Sequence, residues 1–148
     1  MRDDHSEQLS GRTSMAPIRK NVHFLLAATI SFMLAIVHTW WGVTGAIREI
    51  RPLSATARLS FVASWHSAGA TLLVGGILLV HDALRGRASV LVPTVVAAIY
   101  AANFAVFLVT VVGWFPAVLA QTFVQVILFA AMLTFIVAGI LERRRVAT

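Results

Sequence analysis

No cysteine occurs anywhere in the 148 residues. Disulfides, thiolate catalysis, cysteine-based zinc sites and iron–sulfur clusters are therefore outside the chemistry of this chain. Charge is scarce as well. Asp, Glu, Lys and Arg together make up 12% of the residues, against about 25% in soluble domains. Hydrophobic residues reach 59%, where soluble domains average about 45–50%. That shift is too large for a water-soluble core of this size, and the length suits one compact domain. Acidic residues are the rarest charges, six against twelve Lys and Arg, for a formal net charge of +6. The basic residues sit at the ends of apolar runs, as the positive-inside rule expects of a membrane protein. Nucleic-acid binding is therefore a poor reading of the charge, and no nucleic-acid partner is expected. No nucleophile–base arrangement and no buried carboxylate pair is visible, so enzyme catalysis is the weakest functional class.

Residues 1–20 are polar, mixed in charge and without apolar periodicity, which predicts a disordered cytoplasmic tail. A secretory signal peptide would place a short apolar region near the start. The first apolar run begins only at about Val22 and is long enough to span, so a retained helix is expected. Residues 21–148 then read as a four-helix transmembrane domain, with apolar runs at about 22–43, 60–81, 89–112 and 117–141. Each run has the roughly 20 residues needed to cross a hydrocarbon core. In lipid the backbone must satisfy its own hydrogen bonds, which requires helices here. Short connections at 44–59, 81–87 and 113–116 predict antiparallel neighbours. The fold class expected is all-α, a four-helix transmembrane up-down-up-down bundle. Pro93 falls in the first turns of the third helix, where proline is tolerated.

Counting Lys and Arg sets the orientation. Nine (Arg2, Arg12, Arg19, Lys20, Arg85, Arg87, Arg143, Arg144, Arg145) lie on one side and three (Arg48, Arg51, Arg58) on the other. Both termini are expected in the cytoplasm. Trp40, Trp41, Trp65 and Trp114 then fall at or near the outer interface. Small residues predict helix contacts: Ala28, Ser31 and Ala35 share a face with His38, and Ala63, Ser67, Thr71 and Gly75 form a ridge. Ala97, Ala98, Ala101, Ala102 and Ala105 make the third helix alanine-rich.

The chain turns on the stretch from His38 to His66. His38 lies near the end of the first run and His66 near the start of the second, so a hairpin places both imidazoles about 9 Å below one boundary. Gln121 and Gln125 are four apart on the fourth helix and share a face. Tyr100, Asn103 and Thr110 lie on one side of the third. Arg48, Glu49 and Arg51 sit just above. The opposite half reads as nearly all aliphatic. His81–Asp82 and Glu142 with its three arginines read as solvated helix ends. Ionisable groups inside a membrane segment usually face the bundle interior. Against that stands the plain alternative that such residues only bond neighbouring helices.

Three functional readings compete. In the first, His38, Trp41, Arg51, Trp65, His66, Gln121 and Gln125 line an outward-facing pocket for a lipid-like or quinone-like molecule. In the second, His38 and His66 are axial ligands of a b-type haem; helices 8–10 Å apart leave little room for a porphyrin. In the third there is no ligand, and the protein is a structural or accessory subunit of a membrane complex. Membrane lipids are expected partners in every case, with other membrane proteins or self-association in the third.

The pattern H-T-W-W-G (His38 to Gly42), R-P-L (Arg51 to Leu53), then Arg58 and Trp65-His66 resembles a group of small bacterial four-helix inner-membrane proteins. The resemblance covers about residues 38–80. It implies a multi-pass protein of the bacterial cytoplasmic membrane and a role for His38, Arg51, Trp65 and His66. It supplies no substrate and no cofactor.

Overall fold

The computed structural model describes residues 20–46, 48, 50–86, 89–116 and 119–147. They form four helices: α1 (Val22–Trp41), α2 (Ala55–Arg85), α3 (Leu91–Trp114) and α4 (Leu119–Ala147). A π-helical turn, Gly42–Ala46, continues α1. No strand occurs among the described residues. All four helices are long and apolar enough to cross a membrane. The expected tail lies outside the described residues except for Lys20.

Local chemistry explains the boundaries. Asn21 caps α1, its side-chain oxygen accepting from the Phe24 N–H at 3.1 Å. The second helix starts at Ala55, earlier than the apolar run at 60, because Ser54 caps it and accepts from the Ala57 N–H at 3.3 Å. The polar turn A-T-A-R-L then winds as helix, since Ala, Arg and Leu are good helix formers. Gly86 ends α2 in the left-handed region, with φ 58°. The fourth helix likewise runs past 141 through E-R-R-R to Ala147.

Three contacts fix α1 against α2. The Asn21 N–H donates to the Ala83 carbonyl at 3.4 Å. The Ser31 hydroxyl donates to the Leu72 carbonyl at 2.7 Å. The Trp65 indole donates to the His38 carbonyl at 2.8 Å. Positions fall along α2 as they rise along α1, so these two helices run in opposite directions. Ala28, Ser31 and Ala35 are buried, the close-approach face expected of α1. Gly75 admits the Tyr100 hydroxyl of α3, and Gly76 admits the Phe32 ring; a Cβ at either position would collide with that ring or hydroxyl. Phe104 of α3 stacks on Phe129 of α4 at 5.5 Å. The buried core gathers Phe24, Leu79, Met132 and Ile136 around these contacts. Large apolar residues such as Val106, Val109 and Phe123 remain exposed, as helices bordered by lipid require.

One expectation is overturned. The end of the bundle holding the start of α1 is not aliphatic. Asp82 is only 4% exposed and pairs with Arg143. That guanidinium also donates to the carbonyls of Asp82 (2.7 Å) and Ser89 (3.0 Å), and lies 4.7 Å from the Phe24 ring centroid. Glu142 accepts from the Asn21 amide at 3.4 Å and sits 3.2 Å from His23 Nδ1. Read as linear sequence, these charges looked like solvated helix ends. The helices instead bring Asp82 and Arg143 together inside the bundle, where each neutralises the other and two carbonyls take the remaining guanidinium N–H groups.

Candidate functional site

At the other end, a cavity of about 280 Å³ lies among the four helices, lined in part by His38, Trp65, Thr71, Tyr100, Asn103 and Gln125. Its remaining wall is aliphatic and aromatic, including Leu34, Phe107 and Phe129. It reaches the outside at Val37 and Val106, which are 51% and 68% exposed.

His38 and Trp65 hold each other. The two rings stack at 4.2 Å with 9° between their planes. Trp65 donates from its indole to the His38 carbonyl, and His38 Nε2 lies 3.1 Å from the Trp65 carbonyl. A carbonyl can only accept, so Nε2 carries the proton of that bond and Nδ1 is left as an acceptor. The Cδ2 edge of the imidazole faces Gly69. Nδ1 is on the opposite edge. Phe61 also stacks on Trp65, with ring centroids 5.5 Å apart.

Gly42 makes this arrangement fit. A Cβ there would run into the Trp65 indole. The Gly42 N–H donates to the His38 and Thr39 carbonyls. The His38 carbonyl thus accepts from both Gly42 and Trp65, and the backbone passes from α to π winding immediately afterwards. Single π turns within helices are frequently found at functional sites.

The seven residues expected to form one site separate into two groups. His38, Trp65 and Gln125 line the cavity. His66, Trp41 and Arg51 do not. His66 is exposed. One residue advances a helix by about 100°, so Trp65 and His66 cannot face the same partner, and Trp65 takes the position against His38. Trp41 is 54% exposed and lies over Gly45 of the π turn. Arg51 is exposed in the connection before α2. The Gln121 side chain lies outside what the structure describes.

The same geometry bears on the haem reading. An axial pair needs two imidazoles aimed at one iron. Here His38 lines the cavity and stacks on Trp65, while His66, one residue further round α2, is exposed and does not line it. These residues do not fit a bis-imidazole haem. Among the described residues no group of three His, Asp or Glu side chains could hold a metal ion.

Sequence reading placed Tyr100 and Asn103 together and missed Phe107 and Phe129. The signal was present as spacing: Asn103 to Phe107 and Gln125 to Phe129 are each one helical turn. Tyr100 also closes the cavity floor. Its hydroxyl lies 2.6 Å from the Ser31 hydroxyl and 2.9 Å from the Leu72 carbonyl. No protein-family model matches the chain, and no curated protein or solved structure matches it.

Proposed function

We propose that this is a multi-pass protein of the bacterial cytoplasmic membrane that binds, without transforming, a molecule with an apolar body and a small polar head. The helices run up-down-up-down with both termini in the cytoplasm. The cavity then opens in the outer half of the bilayer. The observation that carries this reading is the cavity itself: four helices converge on it, its wall is largely apolar, and His38, Thr71, Asn103 and Gln125 stand in that wall. Ligand sites have this make-up, a largely hydrophobic lining with a few placed polar groups. At about 280 Å³ it has room for a head and not for a tail. The tail would leave between Val37 and Val106 into lipid.

Mass spectrometry of small molecules co-purified with wild type, His38→Ala and Gln125→Ala tests the binding. Loss of one lipid-soluble species from both variants is expected. Identical contents in all three would defeat the reading. Topology has a clean test, because the chain contains no native cysteine. Ser54→Cys is expected to react with an impermeant maleimide from the periplasm, and Ser89→Cys only after permeabilisation.

The reading as an accessory subunit keeps one observation in its favour. Ala98, Ala101, Ala102 and Ala105 of α3 are exposed, and small residues on membrane helices mark close approach to other helices. Native mass spectrometry from membranes distinguishes the two: a stoichiometric protein partner lost on Ala101→Leu supports the subunit reading.

A further inference from the structure

We infer that the outward side of α2 around His66, Ser67 and Ala70 is the contact surface for a second copy of this chain. The inference goes beyond the binding reading and does not depend on the cavity.

The first observation is a set of polar groups without hydrogen-bond partners. Exposed polar side chains on the other helices bond back to their own backbone: Thr29 to the Leu25 carbonyl, Thr94 to Val90, Asn103 to Ile99 and Thr134 to Ala130. On α2, Ser64, His66 and Ser67 are exposed, and none of the three side chains makes a hydrogen bond among the described residues. From Asp82 back to His66 is about 24 Å of helix at about 1.5 Å per residue. That is short of the roughly 30 Å of a hydrocarbon core, so the ring stands within the span. Polar and ionisable groups left against lipid tails are costly, and a partner that bonds them removes the cost.

The second is shape. Ala70 is exposed and borders two grooves at once, one of about 720 Å³ between α1 and α2 and one of about 610 Å³ between α2 and α3. Gly69 and Thr39 line the first beside it, Ser67 and Gly75 the second. A helix laid over Ala70 would place its side chains in both grooves. Ala63 and Ser67 belong to the small-residue set that the sequence assigns to a helix contact, and no helix of this chain covers them.

The third selects the occupant. Copies inserted in one orientation carry like residues at like depth, and a two-fold axis along the membrane normal brings each against itself. A neutral imidazole has one donor and one acceptor, and a hydroxyl both donates and accepts. His66 can therefore bond the partner's His66, and Ser67 the partner's Ser67. A different protein would have to supply its own polar groups at that depth.

The chain has no native cysteine, so single-cysteine variants of the full chain read the contact directly in membranes. Ser67→Cys is expected to give a disulfide-linked dimer on mild oxidation. Val106→Cys and Val124→Cys, on exposed faces of α3 and α4 at the same end, are expected to stay monomeric. Light scattering across a concentration range in nonionic micelles then measures the dimer. Ala70→Leu points into the open grooves and not into this chain's core, and it is expected to shift the protein to monomer. His66→Leu is expected to weaken the dimer by about three- to tenfold, as loss of one interhelical hydrogen bond in a membrane does. His66→Gln, which keeps a donor and an acceptor, is expected to stay near wild type. Thermal melting of dilute samples checks the folding of each variant. If Val106→Cys or Val124→Cys links as readily as Ser67→Cys, the inference falls. It falls equally if wild type is monomeric, if a different protein occupies this face in stoichiometric amount, or if Ala70→Leu and His66→Leu both leave the dimer unchanged. Small molecules held at the cavity are expected to be the same in monomer and dimer, so this inference and the binding reading fail separately.

Discussion

The two ends of the bundle hold comparable numbers of polar side chains and use them in opposite ways. At the end holding the start of α1, Asn21, Asp82, Glu142 and Arg143 bond one another, the carbonyls of two helices and the carbonyl of Ser89 in the α2–α3 connection. Among the described residues, no buried side-chain polar atom lacks a partner. At the other end, His38 and Trp65 are bonded to each other, and the Asn103 and Gln125 amides line the cavity. One end is a clasp and the other a socket. A membrane bundle lacks a hydrophobic drive between its helices, so a clasp at one end lets the other stay open without the helices separating.

The largest effect is expected where that contrast is broken at the clasp. Arg143→Ala leaves the Asp82 carboxylate buried and unpaired, which costs about 3–5 kcal/mol. Unfolding in mixed micelles by titrated sodium dodecyl sulfate, followed by circular dichroism, reads this. The double variant Asp82→Leu with Arg143→Leu is expected to lose far less, since replacing a buried ion pair by apolar residues is often neutral. A double variant as weak as Arg143→Ala would mean that the pair does more than neutralise itself. Binding at the socket is expected to persist in the double variant, and a loss there would join the two ends into one unit.

The second effect lies at mid-bundle. Gly75→Ala places a methyl group against the Tyr100 hydroxyl, and overpacking of this kind costs about 1–3 kcal/mol. Tyr100→Phe keeps the ring and removes its bond to Leu72, at about 1 kcal/mol. The same denaturation measures both, and the reverse ranking would show that the hydroxyl network, not the fit at Gly75, holds α3.

At the socket the expected loss of stability is smaller and the loss of function larger. Trp65→Phe deletes the donor to the His38 carbonyl, at about 1 kcal/mol of stability. It also leaves the imidazole a smaller ring to stack on and removes the bond that fixes the pair, so binding at the cavity is expected to weaken by about tenfold. Trp65→Phe with unaltered affinity would show that the stack does not orient His38.

How much of this was readable beforehand follows from the kind of signal each element gives. The four spans were legible because about 20 apolar residues in a row have one explanation. The α1 face of Ala28, Ser31 and Ala35 was legible because 3.6-residue periodicity survives into the packed structure. His38 was picked out as a polar side chain inside a span. The sequence paired it with His66, and the structure pairs it with Trp65. Choosing between Trp65 and His66 requires helix rotation to better than one residue, and α2 begins five residues before its apolar run because Ser54 caps a polar turn. The clasp was hidden for a related reason. Asp82 and Arg143 are 61 positions apart, each stands at a charged helix end, and charged ends are normally solvated. Only the packing of α2 and α4 on either side of α1 brings the two together.

The smallest effect sharpens the comparison from outside both regions. Gly113 of α3 has nothing within 4 Å of where a Cβ would stand. The glycines at 42, 75 and 76 each make room for a named ring or hydroxyl, whereas this one makes room for nothing. Gly113→Ala therefore gains helix propensity without a collision and is expected to raise stability by up to about 1 kcal/mol. Binding at the socket is expected to stay at the wild-type value. A loss of stability at Gly113 would point to a contact on that face of α3 that the isolated chain does not make. The exposed alanines at 98, 101, 102 and 105 on the same helix would then be the place to look for the partner.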